Sequence, residues 1–219
     1  MTRRLAPRRP PAGPLRAPLS YALGTPAKVA LLRLLAPGGD PVSQREAARR
    51  TGIQVRSAQR ALDDLVALGV VTRQAGGRAH LVHLNAAHRL APALTILFDA
   101  EADLFRALRE ALSAVATRGR PRPVALLLFG SAARGDDRLD SDLDVLGVAR
   151  TQAEAGDLLE RLAAAAAGIR TTFGAELRPV VLTVAQLHSQ WRTRGSLLRR
   201  AAEDALFIFG RPLAELVRP

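Results

Sequence analysis

Between residues 26 and 68, apolar side chains recur at helical spacing in three short runs. The first is Ala27–Leu35, with Pro26 suited to its first turn and Pro37-Gly38-Gly39 ending it. Ser43 stands three residues before Glu46, a capping box that opens a second helix, QREAARR, broken by Thr51-Gly52. The third covers Val55–Leu68, with Ala58, Leu62, Leu65 and Val66 on one face and Gly69 closing it. The period then shortens: Val70–Arg73 and Ala79–Leu84 flank Gly76-Gly77 and predict a hairpin. Residues 92–118 return to helical spacing through Leu94, Leu97, Phe98, Leu104, Phe105, Leu108, Leu112 and Val115, started by Pro92 and ended by Gly119. From Pro123 the pattern alternates. The continuous apolar run Val124–Phe129 predicts a buried strand. A strand over Asp142–Val148, a helix over Thr151–Ala167 and a strand over Glu176–Thr183 follow, Pro179 disfavouring a central place for the last. Helices over Val184–Trp191 and Ser196–Ala205 and a short strand, Leu206–Phe209, complete the set, with Trp191, Phe207 and Phe209 expected in the core.

Composition narrows the reading. The 219 residues are 48% hydrophobic and 24% charged, a globular mix. There is no cysteine, which excludes disulfides, thiolate zinc sites and cysteine nucleophiles. The four histidines show no ligand-like spacing, and His188 reads as a surface or capping residue. No apolar run approaches the ~18 residues that span a bilayer, and the Arg/Pro-rich start lacks the apolar core of a secretory signal. A reducing cytoplasm is the expected compartment, with no membrane partner.

The net charge of +12 is lopsided. Residues 1–20 hold five Arg and no acid, and residues 21–90 hold ten basic and four acidic residues, so +11 lies in the first 90. Such an excess expects a polyanion, most simply nucleic acid. Arginine bias alone (31 of the 32 basic residues) would not put the excess at one end. The expected organisation is a disordered basic arm over 1–19, a DNA-binding domain over 20–90, a helix over 91–119, and a second domain over 120–219. The helix either links the domains or offers a homodimer face, and the sequence does not choose.

Helix, helix, glycine turn, helix and basic hairpin is the order of a winged helix-turn-helix. Residues 26–90 resemble that family, above all through LDDLVALGVVTRQAGGRAHLVHLN. The resemblance sends the third helix into the DNA major groove. Its outward residues Gln54, Arg56, Ser57, Gln59 and Arg60 would meet base edges, and Arg73, Arg78 and His80 on the wing would meet phosphates or the minor groove.

The segment LLLFGSAARGDDRLDSDLDVLGV carries the chemistry. A buried strand runs into Gly130-Ser131, a polar loop spans Ala132–Ser141, and Asp142-Leu143-Asp144 opens the next strand. Glycine at a strand end admits a phosphate close to the backbone, and the Ser131 hydroxyl can donate to it. Asp142 and Asp144, two apart on a strand, share a face about 7 Å apart along the backbone. Their repulsion is relieved by a divalent cation, Mg²⁺ or Mn²⁺, whose remaining positions take water and phosphate oxygens. Arg134 and Arg138 can offset triphosphate charge, while Asp136, Asp137 and Asp140 are expected in solvent.

This run resembles the minimal nucleotidyltransferases of the DNA polymerase β superfamily, whose motif is an apolar strand, Gly-Ser, a spacer of about ten residues and Asp-hydrophobic-Asp. The resemblance spans about residues 95–219 and is specific over 124–148. It implies an α+β architecture: a winged helix-turn-helix followed by a mixed sheet with flanking helices. It implies that Gly130, Ser131 and Arg134 hold the nucleotide and that Asp142 and Asp144 hold metal ions. The implied reaction is attack of an acceptor hydroxyl, on protein or RNA, at the α-phosphate of an NTP with release of pyrophosphate; a toxin-like protein partner is among the implied acceptors. Active relatives carry a third carboxylate on the next strand, where this chain has Arg178 and Pro179; Glu176, two residues earlier, is either the catalytic substitute in a shifted register or an exposed edge residue. The other reading is a transcriptional regulator whose transferase-like domain senses nucleotide or holds a partner without turnover.

Overall fold

In the computed structural model, residues 13, 15–16, 25–36, 38–76, 79–192 and 197–217 are described. The basic arm lies almost wholly outside these, as does Arg78 of the wing. The chain forms two compact units, residues 1–103 and 104–219.

The first unit is built from α1 (Pro26–Leu35), β1 (Val42–Ser43), α2 (Gln44–Thr51), α3 (Val55–Ala67), β2 (Val71–Gly76), β3 (Ala79–Leu84) and the start of α4 (Ala91–Thr117). Its three strands run in the order β1-β3-β2, all antiparallel. The two-residue β1 is too short to leave a periodic signal. Ser43 caps α2 as expected, its Oγ accepting from the Glu46 N–H at 3.2 Å. The Glu46 carboxylate does not complete the box by reaching back; it binds Arg49 and Arg50 on the following turn. Gly52, at φ 66°, turns the chain from α2 into α3. Leu31, Leu35, Ala47, Leu62, Leu65, Val71 and Val82 form the core that the helical spacing predicts. On α4, Phe98 packs with Val29 and Ala36. Glu101 is buried and takes two hydrogen bonds from Arg33, whose guanidinium also lies 5.8 Å over the Phe98 ring.

The second unit holds the rest of α4, whose Leu108, Leu112 and Ala116 are buried. It continues with β4 (Ala125–Phe129), α5 (Gly130–Arg134), β5 (Leu143–Ala149), α6 (Gln152–Phe173), β6 (Leu177–Thr183), α7 (Val184–Arg192), α8 (Leu197–Asp204), β7 (Leu206–Gly210) and α9 (Leu213–Leu216). The sheet order is β6-β5-β4-β7, with β5 and β6 parallel and the other pairs antiparallel. The sheet is therefore mixed, as expected. β4 is buried at every position, which is why ALLLF has no polar alternation. Each of its leucines contributes about 2 kcal/mol by leaving water. α6 is the crossover that a parallel pair requires. Thr151 caps it, and it runs six residues beyond the predicted end at Ala167, passing through Gly168 and ending at Gly174 in the left-handed conformation. Pro179 lies in β6, an edge strand, where its missing N–H costs no ladder bond on the open side. Leu146, Val148, Leu182, Leu187 and Leu198 pack around β4, with Trp191 against them.

Several expectations need correction. The supposed loop after Ser131 begins as a helical turn, α5. Asp142 and Glu176 each stand one residue before their strands. Phe207 is 42% exposed, because β7 is the other edge of the sheet. Asp137, expected in solvent, is buried. No helix among the described residues is long and apolar enough to cross a membrane.

Candidate functional site

Sheet topology gathers the predicted residues at one end of the second unit. β4 ends where β5 and β6 begin, so Phe129 pairs with Asp144 and Asp144 pairs with Arg178. The Leu143 N–H donates to the Glu176 carbonyl at 2.7 Å, locking that end of the β5–β6 ladder. Gly130 follows Phe129 at φ 76°, a conformation that L side chains resist. A Cβ there would sit 2.5 Å from Asp144 Oδ2. Glycine is thus required twice, for the turn and for the close seating of the Asp144 carboxylate. Ser131 lies in the first turn of α5, its carbonyl accepting from Gly135 and Asp136.

Charge at this corner is meshed. Burial pushes the Asp144 carboxyl above its ordinary value, and the neighbouring Asp142 charge pushes the same way; Arg178 and Arg134 pull against them. Arg178 places Nε 3.2 Å from Asp142 Oδ2 and Nη2 4.0 Å from Glu176 Oε1. Arg134 is held by Asp204, on α8, at 3.1 Å and by Asp136 at 3.3 Å, and these hydrogen bonds keep its guanidinium firmly charged. The Arg138 side chain is exposed, and its backbone N–H donates to Ser141 Oγ.

The donor set suits one hard divalent cation. Asp142 and Asp144 are two neighbouring carboxylates, and the charge of Asp142 adds to burial in raising Asp144. It does not suit two. A second ion would need a carboxylate beyond the pair, and a guanidinium stands beside Asp142. Glu176, the catalytic candidate of the sequence, is 58% exposed and faces Arg178.

In the first unit, Gln54, Arg56, Ser57, Gln59 and Arg60 are all exposed, while Ala58 between them is buried. Among the described residues, no hydrogen bond or ion pair engages the side chain of Arg56 or Arg60. The neighbouring cations differ. Arg49 and Arg50 are bound to Glu46, and their hydrogen bonds, Arg49's first, hold its carboxyl down at about 2. Arg73 is bound to Asp63, and Lys28 to Asp64. His80, opposite Ala75 in the hairpin, is exposed.

Comparison with known proteins gives two overlapping family matches. The MarR family model matches residues 25–79, the three helices and most of the wing. The model described as "Putative nucleotidyltransferase DUF294" matches residues 58–177, more than half of the chain. The chain belongs to this nucleotidyltransferase family. The nucleotidyltransferase match includes Gly130, Ser131, Asp142, Asp144 and Glu176 and stops one residue before Arg178. Two solved structures are similar to the chain. One, "Crystal structure of the toxin-antitoxin with AMP-PNP", is 12% identical with a TM-score of 0.33, over 50% of this chain and 80% of its own. The other, "Crystal structure of probable transcriptional regulator from Pseudomonas aeruginosa", is 22% identical with a TM-score of 0.29, over 41% of this chain and 74% of its own. At scores this low, the fold assignment rests on the family matches and the architecture. No curated protein matches the chain.

Two features of the corner escaped sequence reasoning. Asp204 lies 70 residues from Arg134 and carries no local signal. Arg178 is conspicuous in sequence only as the lack of an acid; its role as the partner of Asp142 required the parallel register of β5 and β6.

Proposed function

We propose that this protein is a DNA-binding regulator whose nucleotidyltransferase unit binds a nucleoside triphosphate with a divalent cation. The carrying observation is the carboxylate pair Asp142 and Asp144 on one strand end, with Asp144 Oδ2 seated against Gly130. Two adjacent carboxylates, one half-buried, serve no packing purpose and attract a cation that phosphate oxygens can share. Such an ion would neutralise phosphate charge and orient the triphosphate; Asp142 and Asp144 would hold it. Gly130 keeps the Asp144 carboxylate seated, Ser131 can donate its hydroxyl to a phosphate, and Arg134 stays charged nearby. DNA would be met by the exposed face of α3, through Arg56, Arg60, Gln54, Ser57 and Gln59, with Arg73 on the wing. Mg²⁺ or Mn²⁺ fits the oxygen donors.

Membership in the nucleotidyltransferase family favours a second reading, transfer of a nucleoside monophosphate to a hydroxyl of RNA or of a toxin-like protein partner. There the acceptor oxygen bonds to the α-phosphorus, the bond to the β-phosphate oxygen breaks, pyrophosphate leaves and the hydroxyl proton passes to a nearby base. Glu176, exposed beside Arg178, is the residue of this chain left for that task.

Full-length protein with Mg²⁺ and each α-labelled NTP separates the readings. Saturable nucleotide binding without covalent label on the protein, RNA or a neighbour-encoded protein is expected. Covalent label would replace the regulator by the transferase; no binding of any NTP would end both.

A further inference from the structure

We infer that Arg178 is a built-in positive charge of the nucleotide site, standing where a second divalent ion would otherwise be needed, so that a triphosphate binds here with a single ion. The inference rests on the nucleotide reading of the corner and adds its stoichiometry and a phosphate-contacting residue.

Position comes first. Arg178 pairs in register with Asp144 across two parallel strands, and the Leu143–Glu176 backbone bond fixes that register one residue away. Its side chain therefore rises beside the carboxylate pair and rests on Asp142 Oδ2 at 3.2 Å. It remains 60% exposed, so an incoming anion can reach it.

Charge balance comes second. Arg134 is held by Asp136 and Asp204, two carboxylates that outweigh its single charge. What is left is three carboxylates, Asp142, Asp144 and Glu176, against the one guanidinium of Arg178. The three carboxylates around Arg178 lack two positive charges, the charge of one divalent ion. A second ion would have no carboxylate of its own and would lie against Arg178.

Chemistry comes third. A guanidinium presents five N–H donors in a planar fork; Nε faces Asp142 at 3.2 Å while Nη2 stands 4.0 Å from Glu176, beyond hydrogen-bond reach, so N–H groups remain for a phosphate oxygen. It is permanently protonated, so it cannot act as a base, and its contribution is electrostatic. An exposed ion pair of this kind adds little to folding, so the variants below are expected to fold.

The test counts ions. Full-length protein is saturated with non-hydrolysable analogues of ATP, GTP, CTP and UTP, and bound Mn²⁺ is measured by electron paramagnetic resonance. One Mn²⁺ per bound nucleotide is expected. Arg178→Asp, which adds a carboxylate beside the pair, should bind two. Arg178→Ala should keep one ion and lose nucleotide affinity about tenfold, the weight of one charge-assisted bond; Arg178→Lys should recover part of it. Thermal melting accompanies each variant, and if Arg178→Ala melts early, Arg178→Lys against wild type decides. Two ions in the wild type, or unchanged affinity in Arg178→Ala, overturns the inference and leaves the nucleotide reading standing. No nucleotide bound by the wild type under any condition overturns both.

Discussion

The exposed face of α3 and the carboxylate corner both carry charge, but they hold it differently. On α3, Arg56 and Arg60 are in solvent with no acidic partner among the described residues, one helical turn apart. At the corner nearly every charge is engaged: Arg178 with Asp142 and Glu176, Arg134 with Asp136 and Asp204. The first arrangement suits a long, regular polyanion, whose phosphates replace water around each cation independently. The second suits a small, highly charged ligand. Such a ligand must compete with interactions already present, and only the unbalanced pair, Asp142 and Asp144, invites it. Free charge gives affinity that salt erodes; meshed charge gives a shaped site whose occupancy depends on a few groups together.

That contrast can be broken or sharpened by substitution. The largest effect is expected at the corner: Asp142→Asn with Asp144→Asn should abolish divalent-dependent nucleotide binding in calorimetry, and unchanged affinity would remove the site. Next is Gly130→Ala. It forces a side chain into φ 76° and against Asp144 Oδ2, and should destabilise the protein by about 1–3 kcal/mol in chemical denaturation. A loss near zero would mean the turn relaxes freely. On α3, Arg56→Ala and Arg60→Ala should each reduce the slope of log affinity for DNA against log salt by about 0.9, whereas Arg49→Ala, whose guanidinium is bound to Glu46, should change it less. Equal slopes for all three would erase the difference between free and paired arginines.

The smallest effect is a pH dependence. Asp144 is raised in the folded protein, chiefly by burial. The folded state therefore holds that proton more tightly than the unfolded chain does. Its contribution to stability is fully present below the ordinary carboxylate pKa and is lost as pH rises through the raised folded value. Asp144→Asn should accordingly raise the melting temperature at neutral pH and leave it unchanged near pH 3. A melting temperature lowered at neutral pH would show the ionised carboxylate to be stabilising instead.

Much of this molecule is legible from the chain alone, for local reasons. Helix boundaries follow from Pro26, Ser43, Gly52 and Thr151, which act on backbone within a turn of themselves. The buried strand β4 follows from an unbroken apolar run, and the edge position of β6 from a proline that cannot donate. The outward face of α3 follows from 3.6-residue periodicity around Ala58 and Leu62. Gly130-Ser131 and the Asp-Leu-Asp pair announce themselves because their spacing is short. What escaped was set by partners distant in sequence: Arg134 with Asp204, Arg33 with Glu101, the burial of Asp137, the exposure of Phe207.

Sequence alone therefore determined which segments form helices and strands, that the chain joins a winged helix to a nucleotidyltransferase fold, and which short motif carries the carboxylate pair. Tertiary structure decided how many positive charges surround that pair and which side chains supply them. The reason is range: caps, turns and periodicity act over a few residues of chain, whereas an ion pair such as Asp142–Arg178 exists only once two strands, separated by a 22-residue helix, lie side by side in one register.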